Sequence, residues 1–156
     1  MKALDLFCGA GGVTKGLQRA GFHVTGIDIG VQPRYCGDAF IRADALRLPV
    51  RLGDFDFIWA SPPCQRFTNG ATARMAKGAV YPDLIAPVRA ILEVSGALFA
   101  IENIMRAPLR RDLVLHGWMF PPLRVIRERQ FELSFQVVQP DRAHPRGLLR
   151  RGFVCV

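Results

Sequence analysis

The chain has 156 residues, enough for one domain whose core needs no disulfide or metal to hold it. Half of its residues are hydrophobic and 22% are charged, which is typical of a globular protein, and no apolar run reaches the roughly 20 residues of a membrane-spanning helix. The net charge of +8 favours a polyanionic partner such as nucleic acid, and a basic surface that serves only solubility is the alternative.

Apolar runs and helical patterns alternate along the first two thirds of the chain. Strands are predicted at "KALDLF", "HVTGIDI", "AFIRADA", "FDFIWA" and "ALFAIENI", and helices at "VTKGLQRAGF" and "YPDLIAPVRAILEVSG". This alternation predicts a parallel sheet that is covered by helices on both faces. Further on, "RQFELSFQVV" alternates apolar and polar residues, which predicts a half-buried antiparallel strand. The tail 140–156 is predicted to be a basic extension.

Polar or glycine residues follow five of these strands. In an open α/β sheet, ligands bind at the carboxyl ends of the strands. We therefore expect one edge of the sheet to bring together Gly9, Asp28, Asp44, Cys64 and Glu102.

The first three of these positions suggest a nucleoside site. Glycines after the first strand let a ligand approach the backbone and the start of the next helix, although this signal is weak by itself. Asp28 could accept both hydroxyls of a ribose, and Asp44 could accept from an adenine amino group. An adenosyl ligand with a small charged tail fits at least as well as NAD, and a surface carboxylate is the alternative for Asp28.

The other two positions suggest covalent chemistry. Cys64 follows two prolines in "SPPCQRFTNG", where a stiff loop can present a nucleophilic thiolate, whereas a lone cysteine is more commonly buried in a core. Glu102 ends an apolar strand, where desolvation raises the pKa of a carboxyl and suits it to proton donation. A helix cap or an ion pair with an arginine is its structural alternative. The cysteines show no paired metal spacing, and "MKALDLF" shows no signal peptide, so we expect free thiols, a cytoplasmic location and no metal.

The motifs "DLFCGAGG", "SPPCQ", "ENI" and "RERQFE" occur in this order and resemble those of the C5-cytosine DNA methyltransferases, from Ala3 to about Leu133. The resemblance implies a Rossmann-like class I sheet that binds S-adenosyl-L-methionine, with a methyltransferase catalytic domain at 1–139. It further implies that double-stranded DNA presents a flipped cytosine to the site.

The resemblance also implies residue roles. Cys64 would attack cytosine C6, Glu102 would protonate or hydrogen-bond N3, Arg127 and Arg129 would contact the base and hold Glu102, and Asn103 would brace the loop. The residues implied in cofactor binding are Phe7, Cys8, Gly9, Ala10, Gly11, Gly12, Asp28, Ile29, Asp44, Ala45, Pro63 and Leu84.

The sequence departs from the family pattern in three respects. Val125 stands where the family has a glutamine, nothing after "RERQFE" resembles a target-recognition domain, and the closing motif is not evident. Three interpretations stay open: a minimal enzyme of relaxed preference, such as a phage or mobile-element methylase; one half of an enzyme completed by a protein partner or a second copy; and a degenerate remnant. Phosphate contacts, or else a merely solvated surface, are expected at Arg74, Lys77, Arg142, Arg146, Arg150 and Arg151.

The resemblance also leaves alternatives for the function. The chain could be a non-catalytic module that binds nucleic acid or a partner, or a C5-methyltransferase that acts on RNA or a free nucleotide. The presence of Cys64, Glu102 and both arginines favours an enzyme over a non-catalytic module. The lack of a recognition domain makes an RNA or free-nucleotide substrate more plausible than it usually is in this family. A methyltransferase for amino groups is disfavoured, because Cys64 stands where such enzymes have an acidic or polar loop.

Overall fold

The computed structural model describes residues 1–120, 122–123, 125–141 and 154–155. The described strands are β1 (Lys2–Leu6), β2 (His23–Asp28), β3 (Ala39–Arg42), β4 (Phe57–Ala60), β5 (Leu98–Asn103), β6 (Leu113–His116), β7 (Val125–Ile126), β8 (Glu128–Leu133) and β9 (Val154–Cys155). The described α helices are α1 (Gly12–Arg19), α2 (Ala71–Ala76) and α3 (Ile85–Glu93). The four tail arginines for which phosphate contacts are predicted lie outside the described residues.

Seven of the strands form one sheet in the order β3-β2-β1-β4-β5-β8-β6. The five strands predicted in the first two thirds of the chain are all present, and they pair in parallel. β8 pairs antiparallel with both β5 and β6, so it runs opposite to the rest of this sheet. The carboxyl ends of β1, β2, β4 and β5 therefore meet at one edge, as the sequence predicts.

Helices lie on both faces of the sheet. On one face, α3 packs Val88 and Leu92 into the main apolar core. That core also contains Leu4, Leu6, Ile27, Ala45, Ile58, Ala60, Phe99 and Ile101. On the opposite face, the hydroxyl of Thr14 in α1 donates to Asp5 Oδ2 at 2.6 Å. Both residues are almost fully buried, so this hydrogen bond ties α1 to β1.

Gly26 in β2 allows a close approach that a larger residue would prevent. A Cβ atom at this position would collide with the ring of Tyr35, whose hydroxyl lies 3.2 Å from Thr14 Oγ1 and can donate a hydrogen bond to it. The side chain of Tyr35 can therefore lie against the sheet beside α1 only because residue 26 is glycine.

The prediction of a half-buried strand at "RQFELSFQVV" is wrong in two respects. β8 is antiparallel as expected, but Gln130, Phe131, Glu132 and Leu133 are all buried. The strand lies between β5 and β6, where Gln130 donates to the Ile104 and Ala107 carbonyls and Glu132 is bound by Arg89 of α3, so alternation of polarity does not mark an exposed side here. The strand also ends at Leu133 rather than continuing to Val138.

Three features were not predicted from the sequence. The segment "LVLHGWMFPPL" contains β6, and α2 follows the loop that carries Cys64. The short strands β7 and β9 pair in parallel, which brings Val154 and Cys155 of the tail beside Val125 and Ile126.

Among the helices described, none has the length and apolarity that crossing a bilayer requires.

Candidate active site

A cleft of about 330 Å³ lies at the carboxyl edge of the sheet. It unites the two halves of the site that the sequence suggested separately, because Phe7, Asp28 and Ile29 line it together with Cys64 and Glu102. Nine of the residues with predicted roles line the cleft: Phe7, Asp28, Ile29, Pro63, Cys64, Glu102, Asn103, Arg127 and Arg129.

Cys64 sits half-buried on the loop after β4, directly before a 3-10 turn at Gln65–Phe67. Its carbonyl accepts a hydrogen bond from the Phe67 amide at 2.9 Å. Asn103, only 1% exposed at the end of β5, donates from Nδ2 to the Pro62 carbonyl at 2.8 Å. The neighbouring strand thus holds the loop that presents the thiol.

Glu102 is paired with Arg129 across β5 and β8. Arg129 Nε lies 2.6 Å from Glu102 Oε1, and the side chains are 23% and 19% exposed. Ser61, whose hydroxyl accepts from Trp59 Nε1 at 2.6 Å, is a second hydrogen-bond partner of Glu102. Burial raises the pKa of Glu102, and although Arg129, Arg127 and Ser61 oppose it, the net direction is upward.

Two arginines that line the cleft, Arg127 and Arg129, place positive charge in it. Burial lowers the pKa of Arg129, and repulsion from Arg127 adds to this effect, whereas Glu102 and Cys64 favour the charged form. Arg129 is fixed further by a hydrogen bond from Nη1 to the Glu128 carbonyl at 2.8 Å. Arg127 is exposed at the mouth of the cleft. The arrangement can hold an anionic or electron-rich ring beside the thiol.

The loop after β1 has the backbone that a close ligand requires. Phe7 adopts φ of +61°, which is uncommon for a residue other than glycine, and Gly9 and Gly11 have φ of +50° and +94°. The Gly9 amide donates to Asp28 Oδ2 at 3.0 Å, and the Gly30 amide donates to Oδ1 at 2.8 Å. Each carboxylate oxygen keeps a lone pair for a further donor, so Asp28 is oriented and can still accept ribose hydroxyls.

The remaining predicted cofactor residues do not line the cleft. Cys8 is buried, and burial together with Asp5 and Asp28 raises the pKa of its thiol to about 12. Asp44 is exposed and accepts from the Leu46 amide at 2.9 Å, while its neighbour Ala45 belongs to the core. Leu84 precedes α3. Of the loop 9–12, Ala10 and Gly12 are exposed. The roles of these residues stay predictions.

Four residues that line the cleft were not predicted as site residues: Ser61, Pro62, Gln65 and Ile104. Trp59, which was not predicted either, orients the Ser61 hydroxyl. Ser61 and Ile104 each adjoin a motif residue, within "SPPC" and "ENI", so their position in those motifs was the available signal.

Comparisons with known proteins agree with this geometry. The family model for C-5 cytosine-specific DNA methylase matches residues 1–107. The Type II methyltransferase M.AgeI of Thalassovita gelatinovora is 29% identical over an alignment of 123 residues that covers 67% of this chain and 28% of that protein. The crystal structure of S. pombe Dnmt2 methyltransferase superposes with a TM-score of 0.57 at 18% identity, covering 90% of this chain and 51% of that one. The chain therefore spans about half, or less, of the length of these relatives.

These matches bear on the sequence predictions. The likeness to the S. pombe structure confirms the Rossmann-like class I methyltransferase fold, and the family match supports S-adenosyl-L-methionine as the cofactor. The family model matches more than half of the chain, and the matched residues include both the glycine loop and the segment with Cys64 and Glu102. This chain belongs to the C-5 cytosine-specific DNA methylase family.

Proposed function

We propose that the protein transfers a methyl group from S-adenosyl-L-methionine to C5 of a cytosine in DNA, through a covalent bond between Cys64 and C6 of the base. The observation that carries the proposal is the shared cleft, in which Cys64 and the Glu102–Arg129 pair face the loop that holds Asp28. The proposed catalytic domain is 1–139, and 140–156 is a basic extension.

Cys64 and Glu102 act on opposite sides of the same ring. Cytosine C5 is too weak a nucleophile to accept a methyl group unaided. The Cys64 thiolate forms a bond to C6, and the displaced electron pair moves through the ring towards C5 and N3. Glu102, with a pKa raised by burial, donates a proton or a hydrogen bond to N3 and so stabilises this charge.

The covalent bond is temporary. Once the methyl group has passed to C5, which would leave the cosubstrate as S-adenosyl-L-homocysteine, a general base removes the C5 proton. The C5–C6 double bond then re-forms, the C6–sulfur bond breaks to return the Cys64 thiolate, and any proton that N3 received returns to Glu102. Arg129 keeps the carboxyl of Glu102 oriented throughout, through the 2.6 Å contact between Nε and Oε1. Arg127, at the mouth of the cleft, contacts the base.

The residues that line the cofactor side fit the proposed cosubstrate. Asp28 accepts the ribose hydroxyls, and the loop from Phe7 to Gly12, whose backbone leaves room for a ligand, contacts the methionine part. When bound, S-adenosyl-L-methionine supplies an electrophilic methyl group. Asp44, Ala45, Pro63 and Leu84 are proposed to complete the adenine pocket.

DNA is the proposed partner because the chain carries a net charge of +8 and because the target atom must leave the base stack to reach Cys64. We further propose that a protein partner or a second copy of the chain supplies target recognition.

Covalent trapping tests the function. The protein is incubated with S-adenosyl-L-methionine and DNA that contains 5-fluorocytosine, which blocks the final elimination, and adducts are measured by denaturing gel and mass spectrometry. We expect an adduct with the native chain and none with Cys64→Ser. Cys36→Ser is the matched control: its thiol lies outside the cleft and donates to the Gly11 carbonyl at 3.2 Å, a hydrogen bond that the serine hydroxyl can keep, so the adduct is retained.

The other outcomes distinguish the alternatives. An adduct on RNA but not on DNA overturns the DNA assignment. If calorimetry shows cofactor binding but no substrate forms an adduct, the isolated chain is not the enzyme proposed. If the cofactor does not bind either, a non-catalytic module becomes the better explanation.

A further inference from the structure

A second cavity, of about 530 Å³, adjoins the active cleft. Its walls are the loop 67–69 after Cys64, the segment 104–106 after β5, and residues 126–129. It shares Ile104, Arg127 and Arg129 with the cleft, so any group in it lies directly beside the base held at Cys64. We call this second cavity the flanking cavity.

The loop side of the flanking cavity is held in place by hydrogen bonds. Arg106 donates from Nη1 to Asn69 Oδ1, and Arg74 donates from Nη2 to Thr68 Oγ1 at 2.7 Å. The Thr68 hydroxyl in turn donates to the Gln65 carbonyl at 2.8 Å. The cavity wall is thus formed before any ligand arrives, on the same loop that presents Cys64.

The chemistry of the walls matches a nucleotide. Phe67, Ile104, Met105 and Ile126 provide apolar surface, including one aromatic ring, for the face of a base. Arg106 and Arg127 are exposed cations at its rim, where a phosphate that links two nucleotides can bind.

We propose that the flanking cavity binds the nucleotide next to the target cytosine and selects its base. This inference rests on the proposed function and deepens it. Phe67 stacks on the flanking base, Arg106 binds the linking phosphate, and Asn69 contacts the edge of the base. Because Arg106 occupies Asn69 Oδ1, the amide NH2 group is turned towards other acceptors. A base with acceptors on its edge, above all guanine, is therefore preferred over cytosine, whose edge presents an amino group.

The test uses eight oligonucleotide duplexes in which each of the four bases stands on the 5′ or the 3′ side of the 5-fluorocytosine. Trapping rates and binding by fluorescence anisotropy are measured for the native chain, Asn69→Ala and Phe67→Leu. For the native chain we expect guanine on one side to be favoured over cytosine by about tenfold. Asn69→Ala is expected to reduce this ratio to near one, while Phe67→Leu weakens all bases together. Gln136→Ala, exposed near the far end of β8, is the matched polar control and keeps the ratio.

The failures of the two proposals look different. If native protein forms adducts at equal rates on all eight duplexes, or if Asn69→Ala leaves the preference intact, the flanking cavity does not select the base although the enzyme assignment stands. If no adduct forms, anisotropy decides: a preference for guanine that Asn69→Ala removes supports the cavity, and equal binding overturns it.

Discussion

At the scale of single residues, the Glu102–Arg129 pair connects pH to the proposed reaction. Glu102 must carry a proton to donate to N3, so activity falls as pH rises through its pKa. Arg129 favours the ionised carboxylate and lowers that pKa, against the burial that raises it. We expect Arg129→Gln to shift the descending limb of the pH–rate profile to higher pH while lowering the maximal rate. Single-turnover methylation between pH 6 and 10 measures both effects.

Arg129→Lys is the control for this effect, because it keeps a positive charge beside Glu102 and loses only the geometry of the guanidinium group. The descending limb of its pH–rate profile should remain at nearly the same pH as that of the native chain. If Arg129→Gln leaves the descending limb at the native pH, Glu102 is not the group that donates the proton. The same conclusion follows if Glu102→Gln still shows a descending limb at that pH.

Asn103 is a positioning residue whose effect passes through the loop that carries Cys64. Its side chain supports the buried Pro62 carbonyl and also accepts from the Ile104 amide at 2.9 Å. Asn103→Ala leaves both groups without these partners, which we expect to cost about 1–3 kcal/mol of unfolding free energy. The displaced thiol should slow adduct formation by about 100-fold. Urea unfolding and trapping kinetics measure the two effects, and a stable variant with the native trapping rate would refute the positioning role.

At the scale of secondary-structure elements, β8 is joined to α3 through a buried ion pair. Glu132 is 1% exposed, and Arg89 binds both of its oxygens at 2.6 and 2.7 Å. Burial raises the pKa of Glu132, but the hydrogen bonds from Arg89 and from the Arg110 amide bring it below its ordinary value. The pair therefore stabilises the fold fully at pH values above the ordinary pKa of a glutamate. This stabilisation is lost as pH falls through the lowered pKa of Glu132.

Removing one partner of this pair should lower the free energy of unfolding more than removing both. Arg89→Met leaves the Glu132 carboxylate buried, and because Arg89 itself reaches solvent we expect a loss of about 2–3 kcal/mol near neutral pH. The loss should shrink as pH falls, because without Arg89 the buried carboxyl of Glu132 becomes protonated at a higher pH than in the native chain. Arg89→Met combined with Glu132→Leu should recover part of it. Denaturant midpoints across pH measure this, and a double variant less stable than Arg89→Met would contradict the account.

The same elements show what the sequence could and could not predict. The five parallel strands were predictable because each is a short apolar run that ends in a polar or glycine residue. The cleft followed from their order, since the carboxyl ends of parallel strands meet at one edge. β8 was predicted to be half-buried, because a polar residue that is paired inside the sheet, such as Glu132, cannot be distinguished by sequence pattern from one that faces water. β6 and β9 were missed because short strands at a sheet edge depend on partners that are distant in the chain.

At the scale of the whole molecule, the net charge of +8 and the flanking cavity have separable effects on DNA binding. Phosphate contacts give affinity that depends on salt, whereas contacts to base edges give selectivity. Several basic side chains surround the loop 65–78, but they are not equivalent. Arg74 is engaged with Thr68 and lies 5.7 Å from the centre of the Tyr81 ring, so it also holds the loop. Lys77, exposed at the end of α2, is better placed to report phosphate binding alone.

We therefore expect Lys77→Ala to reduce the slope of log affinity against log salt concentration by about 0.9, the value for one phosphate on duplex DNA. It should weaken binding to all eight duplexes equally, because a phosphate contact carries no information about sequence. Asn69→Ala should do the reverse, altering the preference among duplexes at an unchanged slope. Lys15→Ala, exposed on α1, is the matched control and should alter neither quantity. Fluorescence anisotropy between 50 and 300 mM salt measures both. If Lys77→Ala changes the preference among bases, or leaves the slope unchanged, then Lys77 and Asn69 do not carry phosphate affinity and base selectivity separately.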